Sequence, residues 1–138
     1  MSRILVAISS PWAANRVTGP VTDLARKLGA EVLIVHVSRP SGGQMRDQEQ
    51  ADGETAISAL RQKLQDNSLA VQSLLLFSDD IARAILSTAE EREASLIVLG
   101  LTGKNVFARL LAGNVPVELI KNTKVPVLLL PADWDDTL

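Results

Sequence analysis

The chain contains no cysteine and no tyrosine, and it has one histidine, two tryptophans and two phenylalanines. Without cysteine it can form neither disulfides nor cysteine-ligated metal centres, and it has no thiol nucleophile. The formal net charge is only −2, and no long basic run is present. Because basic patches and stacking aromatics are what nucleic-acid-binding proteins need, nucleic acid is not an expected partner.

Long hydrophobic runs are also lacking. No apolar run approaches the roughly 20 residues needed to span a bilayer, so membrane insertion is not expected. The N-terminal sequence MSRILVAISS is too soon interrupted for a signal peptide, which predicts a cytoplasmic protein. With 46% hydrophobic and 22% charged residues, the chain has the composition of a globular protein, and residues 1–138 are expected to form a single domain. The acidic tail 132–138 is expected to be poorly ordered.

What the sequence does contain is a series of short apolar runs that alternate with helical patterns. The predicted strands are Arg3–Ile8, Glu31–Val37, Leu69–Phe77, Leu96–Leu99 and Val125–Leu130. Polar residues in the third run and Pro126 in the fifth favour positions near sheet edges. The alternation predicts an α/β fold, a single-domain five-stranded parallel sheet with helices on both faces.

The helical segments are less clearly delimited than the strands. The first ends at Gly29, and Pro20 either kinks it or lies near its start. Residues 38–48 contain proline, glycines and mixed charges and are predicted as a loop. In the helix that follows, Gly53 is expected to weaken the first turn. Its predicted buried face is Ala56, Ile57, Leu60 and Leu64, and Asp79 or Asp80 is expected to cap the next helix.

The most informative stretch runs from Leu96 to Val115. A strand ends at Gly100, a basic loop follows, and glycines 100, 103 and 113 allow the backbone to turn and to approach a ligand closely. Asn114 suits a helix N-cap, so free backbone N–H groups and the positive helix end would face an anion. An ordinary connection with glycines as turns is the alternative. Ligand binding is favoured because the connection between Gly100 and Asn114 is longer than most loops, and unusually long loops often carry functional sites.

Two basic residues of this loop, Lys104 and Arg109, would add positive charge, although a solvated surface explains them equally well. Gly103 and Lys104 do not form a Walker A loop, because that motif needs a different spacing and a Ser or Thr where Asn105 stands. The single histidine, His36, lies within an apolar strand, which favours a packed core imidazole over a general base. No catalytic residue and no metal site is predicted.

These features together resemble the universal stress protein family over nearly the whole chain. Gly100, Gly103 and Gly113 keep the Gly-x2-Gly-x9-Gly spacing of its nucleotide-binding members. The segments ARKLGAEVLIVHV and TKVPVLLLP are similar to its passage into strand two and to its last strand. The resemblance implies a Rossmann-like fold of the adenine nucleotide alpha hydrolase type. It also implies a regulatory protein that binds ATP, ADP or AMP, with Mg²⁺ on the phosphates.

The resemblance also implies a set of site residues. Backbone atoms of Ala7, Ile8 and Val37 would border the adenine and ribose, Leu99 and Gly100 would form the pocket floor, and Gly103, Gly113, Asn114 and Val115 would hold the phosphates. Lys104 is added to this set on its charge. The chain departs from the family pattern at Ser9, where the nucleotide-binding members carry Asp, and at Asn114, where they carry Ser or Thr.

These departures differ in their expected consequences. Asn114 can cap the helix and donate to a phosphate oxygen, so the phosphate loop is retained. Ser9 accepts more weakly than a carboxylate, whose charged hydrogen bonds contribute roughly 1.5–3 kcal/mol, equivalent to about one to two decades in affinity. The alternative function is therefore a scaffold that has lost its nucleotide and acts by dimerisation or by docking on an unidentified partner protein. An enzyme is the least favoured reading, with at most slow ATP hydrolysis.

A homodimer is predicted for either function. The strand at 125–130 ends the predicted sheet with apolar residues, and exposed edges of this kind are usually covered. By resemblance, the same strand of a second copy would cover it.

Overall fold

A computed structural model describes residues 2–8, 11–38, 43–100 and 115–131. The strands and helices in chain order are β1 Arg3–Ala7, α1 Pro11–Leu28, β2 Glu31–Ser38, α2 Gly43–Asp66, β3 Val71–Phe77, α3 Ile81–Glu91, β4 Leu96–Gly100, α4 Val115–Asn122 and β5 Val127–Leu130. The predicted tail at 132–138 and most of the glycine-containing loop, 101–114, lie outside these residues. None of the helices within the described ranges is both long and apolar enough to cross a membrane.

All five strands form one parallel sheet in the order β3-β2-β1-β4-β5. This confirms the predicted α/β fold and places the third and fifth strands at the edges. β5 begins at Val127, directly after Pro126, whose carbonyl oxygen accepts from the N–H of Ile97. Proline has no N–H to donate to a neighbouring strand, which agrees with its place at the start of an edge strand.

The central strands are apolar throughout because helices cover both faces of the sheet. In β1, Ile4 and Val6 belong to a core cluster that also contains buried residues of α1 and α2. Leu5 belongs to a second cluster on the opposite face, where α3 and α4 pack. Strand side chains alternate between faces, so a strand buried on both sides reads as a continuous apolar run rather than an alternating one.

Helix α1 resolves the alternative that the sequence left open at Pro20. The helix runs from Pro11 to Leu28, so Pro20 lies inside it rather than near its start. It ends as predicted at Gly29, whose φ of +59° is a left-handed conformation that favours glycine after a helix. The N–H of Ala30 then donates to the carbonyl of Ala25 at 2.9 Å.

Helix α2 corrects one prediction and confirms another. Residues 43–48, predicted as part of a loop, are helical, and Ser38 belongs to β2. Gly53 consequently lies in the interior of α2 and not in its first turn. The predicted buried face of this helix, Ala56, Ile57, Leu60 and Leu64, is confirmed, with side chains at most 9% exposed. Once the buried residues have fixed the first turns of the helix, adding each further residue costs little free energy. This accounts for the extension of α2 into the polar segment 43–48.

Helix α3 begins as predicted. The carboxylate of Asp80 accepts a hydrogen bond from the backbone N–H of Arg83 at 3.2 Å, the arrangement expected of an N-cap. Its buried residues include Ile85 and Ala89. Helix capping therefore accounts for one of the two adjacent carboxylates without a metal ion.

Candidate functional site

The strand order places a candidate site at one edge of the sheet. From β1 the chain moves through β2 to β3 on one side, and β4 and β5 extend the sheet on the other side. Ligands of such sheets bind beyond the carboxyl ends of the strands where the order reverses, which here is between β1 and β4. Ala7 pairs in register with both Val35 and Leu99, so the carboxyl ends of β1, β2 and β4 lie at the same edge.

The predicted site residues at these strand ends use their side chains for the core. Ile8 and Val37 are each 5% exposed and Leu99 is 6% exposed. Ile8 packs on the face covered by α1 and α2, whereas Val37 and Leu99 pack on the opposite face. A ligand at this edge would therefore meet mainly backbone N–H and C=O groups.

Gly100, the last residue of β4, permits close packing of α1. A Cβ atom built on Gly100 would lie 3.0 Å from Cγ1 of Val17, at the limit of tolerable contacts. The glycine therefore has a packing role in addition to the role predicted for it as part of a pocket floor. The structure brings Ala7, Ile8, Val37, Leu99 and Gly100 to one edge. Ser9, Gly103, Lys104, Gly113 and Asn114 lie outside the described residues, and Val115 begins α4.

The backbone of Ile8 is held on both sides. Its N–H donates to the carbonyl of Val35 at 3.0 Å, which continues the β1–β2 pairing beyond the end of β1. Its carbonyl oxygen lies 2.8 Å from Nδ1 of His36. Because a carbonyl oxygen can only accept, Nδ1 must carry the proton of this hydrogen bond. The backbone of Ile8, directly after β1, is thus held by a neighbouring strand and by a side chain of that strand.

His36 is a core histidine, as the sequence predicted. Its side chain is 2% exposed, and its second ring nitrogen, Nε2, lies 3.1 Å from Oγ of the fully buried Ser38. In the neutral ring Nε2 accepts from that hydroxyl, so both ring nitrogens are satisfied. The sequence did not reveal that the imidazole contacts the end of β1. The only signal for it was the place of His36 directly before Val37, a predicted site residue.

Gly53 gives the imidazole its space. A Cβ atom built on this residue of α2 would lie 2.6 Å from Cγ of His36 and closer still to Cδ2 and Nε2. These separations are shorter than real Cβ atoms make. The absence of a side chain at position 53 is therefore what allows α2 to pack over the ring.

The described residues offer no built metal site. No group of three or more His, Asp or Glu side chains suited to a metal ion occurs in the ranges that the structure covers. An open groove between α3 and α4 has mixed charge and contains none of the predicted site residues. It is lined by Asp80, Ala82, Arg83, Leu86, Glu118 and Asn122.

Comparison with known proteins shows which family this architecture resembles. The model of the universal stress protein family matches residues 1–131. Universal stress protein MJ0531 of Methanocaldococcus jannaschii is 27% identical to the chain, and the match covers 78% of the chain and 69% of that protein. The resemblance in sequence thus extends over most of the fold described above.

Solved structures show the same fold. A universal stress protein from Archaeoglobus fulgidus superposes with a TM-score of 0.75 at 25% identity, covering 94% of this chain and 98% of that one. The universal stress protein from Archaeoglobus fulgidus in complex with dAMP has a TM-score of 0.72 at 24% identity, with 94% and 97% covered. The five-stranded parallel sheet, the family model and these relatives agree, and the chain belongs to the universal stress protein family.

Proposed function

We propose that this protein is a regulatory protein that binds an adenine nucleotide at the carboxyl edge of β1, β2 and β4. The observation that carries this proposal is the convergence of Ala7, Ile8, Val37, Leu99 and Gly100 at one edge, with the larger side chains turned into the core. A site formed mainly by backbone groups at a reversal of strand order suits a nucleotide. The structure of a family member in complex with dAMP supports the same choice of ligand.

The residues divide between the two parts of such a ligand. Ala7, Ile8 and Val37 would border the base and ribose, with Leu99 and Gly100 beneath them. Gly103, Lys104, Gly113, Asn114 and Val115 would meet the phosphates, and α4 begins at the end of this segment. Its free N–H groups favour negative charge. The ligand is ATP, ADP or AMP, and Mg²⁺ would be held on the phosphates of a nucleotide rather than by a cluster of carboxylates.

Binding rather than turnover is the proposed output. His36, the single histidine, has both ring nitrogens hydrogen-bonded inside the core. It is therefore not placed to act as a general base, and any hydrolysis of ATP would be slow. A protein that regulates through the binding and release of a nucleotide needs no general base.

Isothermal titration calorimetry with ATP, ADP and AMP tests the proposal. Because the hydroxyl of Ser9 accepts hydrogen bonds more weakly than a carboxylate, we expect a dissociation constant larger by about one to two decades than that of the same site with Asp at position 9. Gly113→Asp is the control, since a carboxylate in the phosphate loop would repel the ligand. Absence of heat at millimolar concentrations of all three nucleotides would overturn the proposal, as would equal binding by Gly113→Asp.

The residue at position 9 favours a second candidate, a scaffold that has lost its nucleotide and acts by docking on a partner protein. The two candidates differ in what the purified protein carries. Adenine nucleotide in the supernatant of the heated protein would establish the first case. Because a weak site can lose its ligand during purification, the second case is established by the absence of heat in calorimetry.

We also propose that β5 mediates a homodimer. Within the described residues β5 pairs on one side only, with β4, and Val127, Leu128 and Leu129 are only partly buried. A second copy of this strand would cover the exposed apolar edge. Sedimentation at micromolar concentration is expected to give a dimer, and a monomer over the whole concentration range would contradict this assignment.

A further inference from the structure

We propose that His36 is a positioning residue of the nucleotide site, which acts by holding the carbonyl group of Ile8. This inference depends on the nucleotide-binding function proposed above, because it concerns the backbone that would border the ligand. His36 itself would not touch the nucleotide. Its effect on binding would pass through the backbone of Ile8, which would border the base and ribose.

The first step concerns the hydrogen bond that controls the carbonyl. Ile8 is the residue after β1, and its N–H already donates to Val35 in the regular manner of the sheet. Its carbonyl accepts from the His36 ring at 2.8 Å. With both its N–H and its carbonyl bonded to β2, the backbone of Ile8 is held in one orientation. Ser9, a predicted residue of the site, is the next residue in the sequence.

The second step concerns the rigidity of the ring. His36 is 2% exposed, and its Nε2 lies 3.1 Å from Oγ of Ser38. The carbonyl of Ser38 accepts in turn from the N–H of Ser78 at 2.9 Å, which ties the end of β2 to the segment after β3. Gly53 of α2 packs directly against the ring. A ring confined on these sides can present its Nδ1–H in one direction only.

The third step concerns the division of β2 between two tasks. His36 and Val37 are adjacent, so their side chains point to opposite faces of the sheet. Val37 packs with the cluster under α3 and α4, and its backbone is a predicted part of the site. His36 uses the other face to hold Ile8. The end of β2 therefore contributes the backbone of Val37 to one side of the site and holds the backbone of Ile8 on the other side.

The test compares two replacements of this histidine. His36→Asn places an amide nitrogen, bonded to Cγ as Nδ1 is, where it can still donate to Ile8. His36→Leu removes the donor and keeps an apolar side chain of similar size. We expect His36→Asn to bind ATP within about threefold of the wild type. We expect His36→Leu to bind it about tenfold more weakly, because the backbone of Ile8 would then have to be ordered on binding, at a cost of up to about one hydrogen bond.

A control separates positioning from general destabilisation. Leu64→Ala removes a fully buried side chain near the end of α2 from the core cluster that contains Ile8. It is expected to lower the free energy of unfolding without changing the affinity for ATP, measured well below the unfolding temperature. If affinity falls in Leu64→Ala as it does in His36→Leu, the effect of His36 is on stability alone and the inference is wrong.

The carbonyl carbon of Ile8 supplies a readout that needs no nucleotide. Its ¹³C chemical shift is expected to move in His36→Leu and to return towards the wild-type value in His36→Asn. An unchanged shift in His36→Leu overturns the inference even if the wild type binds ATP. A wild type that binds none of ATP, ADP and AMP overturns the proposed function, while the shift still decides whether His36 holds Ile8. Equal ATP affinity in wild type and His36→Leu overturns the inference and leaves the proposed function intact.

Discussion

Replacing Gly53 with alanine is expected to destabilise the protein by about 2–4 kcal/mol, although the same change inside an exposed helix would stabilise it by about 1 kcal/mol. The sign is reversed by the contact between α2 and His36. A Cβ at position 53 would overlap the imidazole ring. Either α2 must move away from β2 or the ring must leave its place.

Both responses are costly, because the ring cannot yield as the tip of a flexible side chain can. His36 is bonded through Nδ1 to Ile8 and through Nε2 to Ser38. Displacing it leaves buried polar groups without partners, which costs about 1–3 kcal/mol for each group. Moving α2 instead opens the core around Ala56 and Leu60, both fully buried.

Urea denaturation followed by circular dichroism would measure this change, with Gly19→Ala as the matched control. Gly19 also lies inside a helix, α1, but a Cβ there would meet nothing within 4 Å apart from its chain neighbours and the adjacent backbone of α1. Because alanine is crowded by the following Pro20, the gain in helix propensity is partly cancelled, and we expect a change within about 0.5 kcal/mol. A Gly53→Ala variant as stable as Gly19→Ala would show that the ring does not need this space.

Replacing Ser9 with aspartate is expected to strengthen the binding of adenine nucleotides by about 10- to 100-fold. A carboxylate accepts hydrogen bonds from ribose or base donors more strongly than a hydroxyl does. Position 9 follows Ile8, whose backbone is held at the carboxyl edge. The new side chain would therefore enter a site whose neighbouring backbone is already ordered.

Calorimetry on two adjacent variants checks this prediction. Ser10→Asp adds the same charge one residue later and is expected to leave the affinity close to that of the wild type. Adenosine should show the same relative gain with Ser9→Asp as ATP does, since the carboxylate is expected to contact the nucleoside and not the phosphates. An equal gain from Ser10→Asp, or a gain for ATP that adenosine lacks, would contradict the proposed place of this residue.

The homodimer and the nucleotide site can be tested independently. The proposed dimer uses the outer edge of β5, whereas the site is centred on β1 and β4, with β4 between β5 and β1. Loss of one property in a variant need not affect the other. A scaffold without nucleotide would keep the dimer, which is why nucleotide binding distinguishes the two candidate functions more directly than oligomeric state does.

The sequence alone was sufficient to predict the fold, and it also supplied the proposed location of the site. Short apolar runs, a Gly29 at the end of α1 and the capping residue Asp80 are local signals, because each depends on the conformation of a few consecutive residues. The alternation of strands with helices then implied a parallel sheet, whose carboxyl ends necessarily meet at one edge. The start of α2 was predicted wrongly. Residues 43–48 are helical because the helix extends towards its N-terminus from the part that packs against the core, farther along the chain.

Only the tertiary structure decided the roles of Gly53 and His36. In sequence Gly53 is a residue that weakens a helix, and His36 is one polar side chain in an apolar strand. Their meaning comes from a contact between α2 and β2, and from a hydrogen bond to Ile8 on a third element. Local patterns determine which elements form and which faces they bury, but side chains far apart in the chain acquire a shared function only when packing brings them within reach of one another.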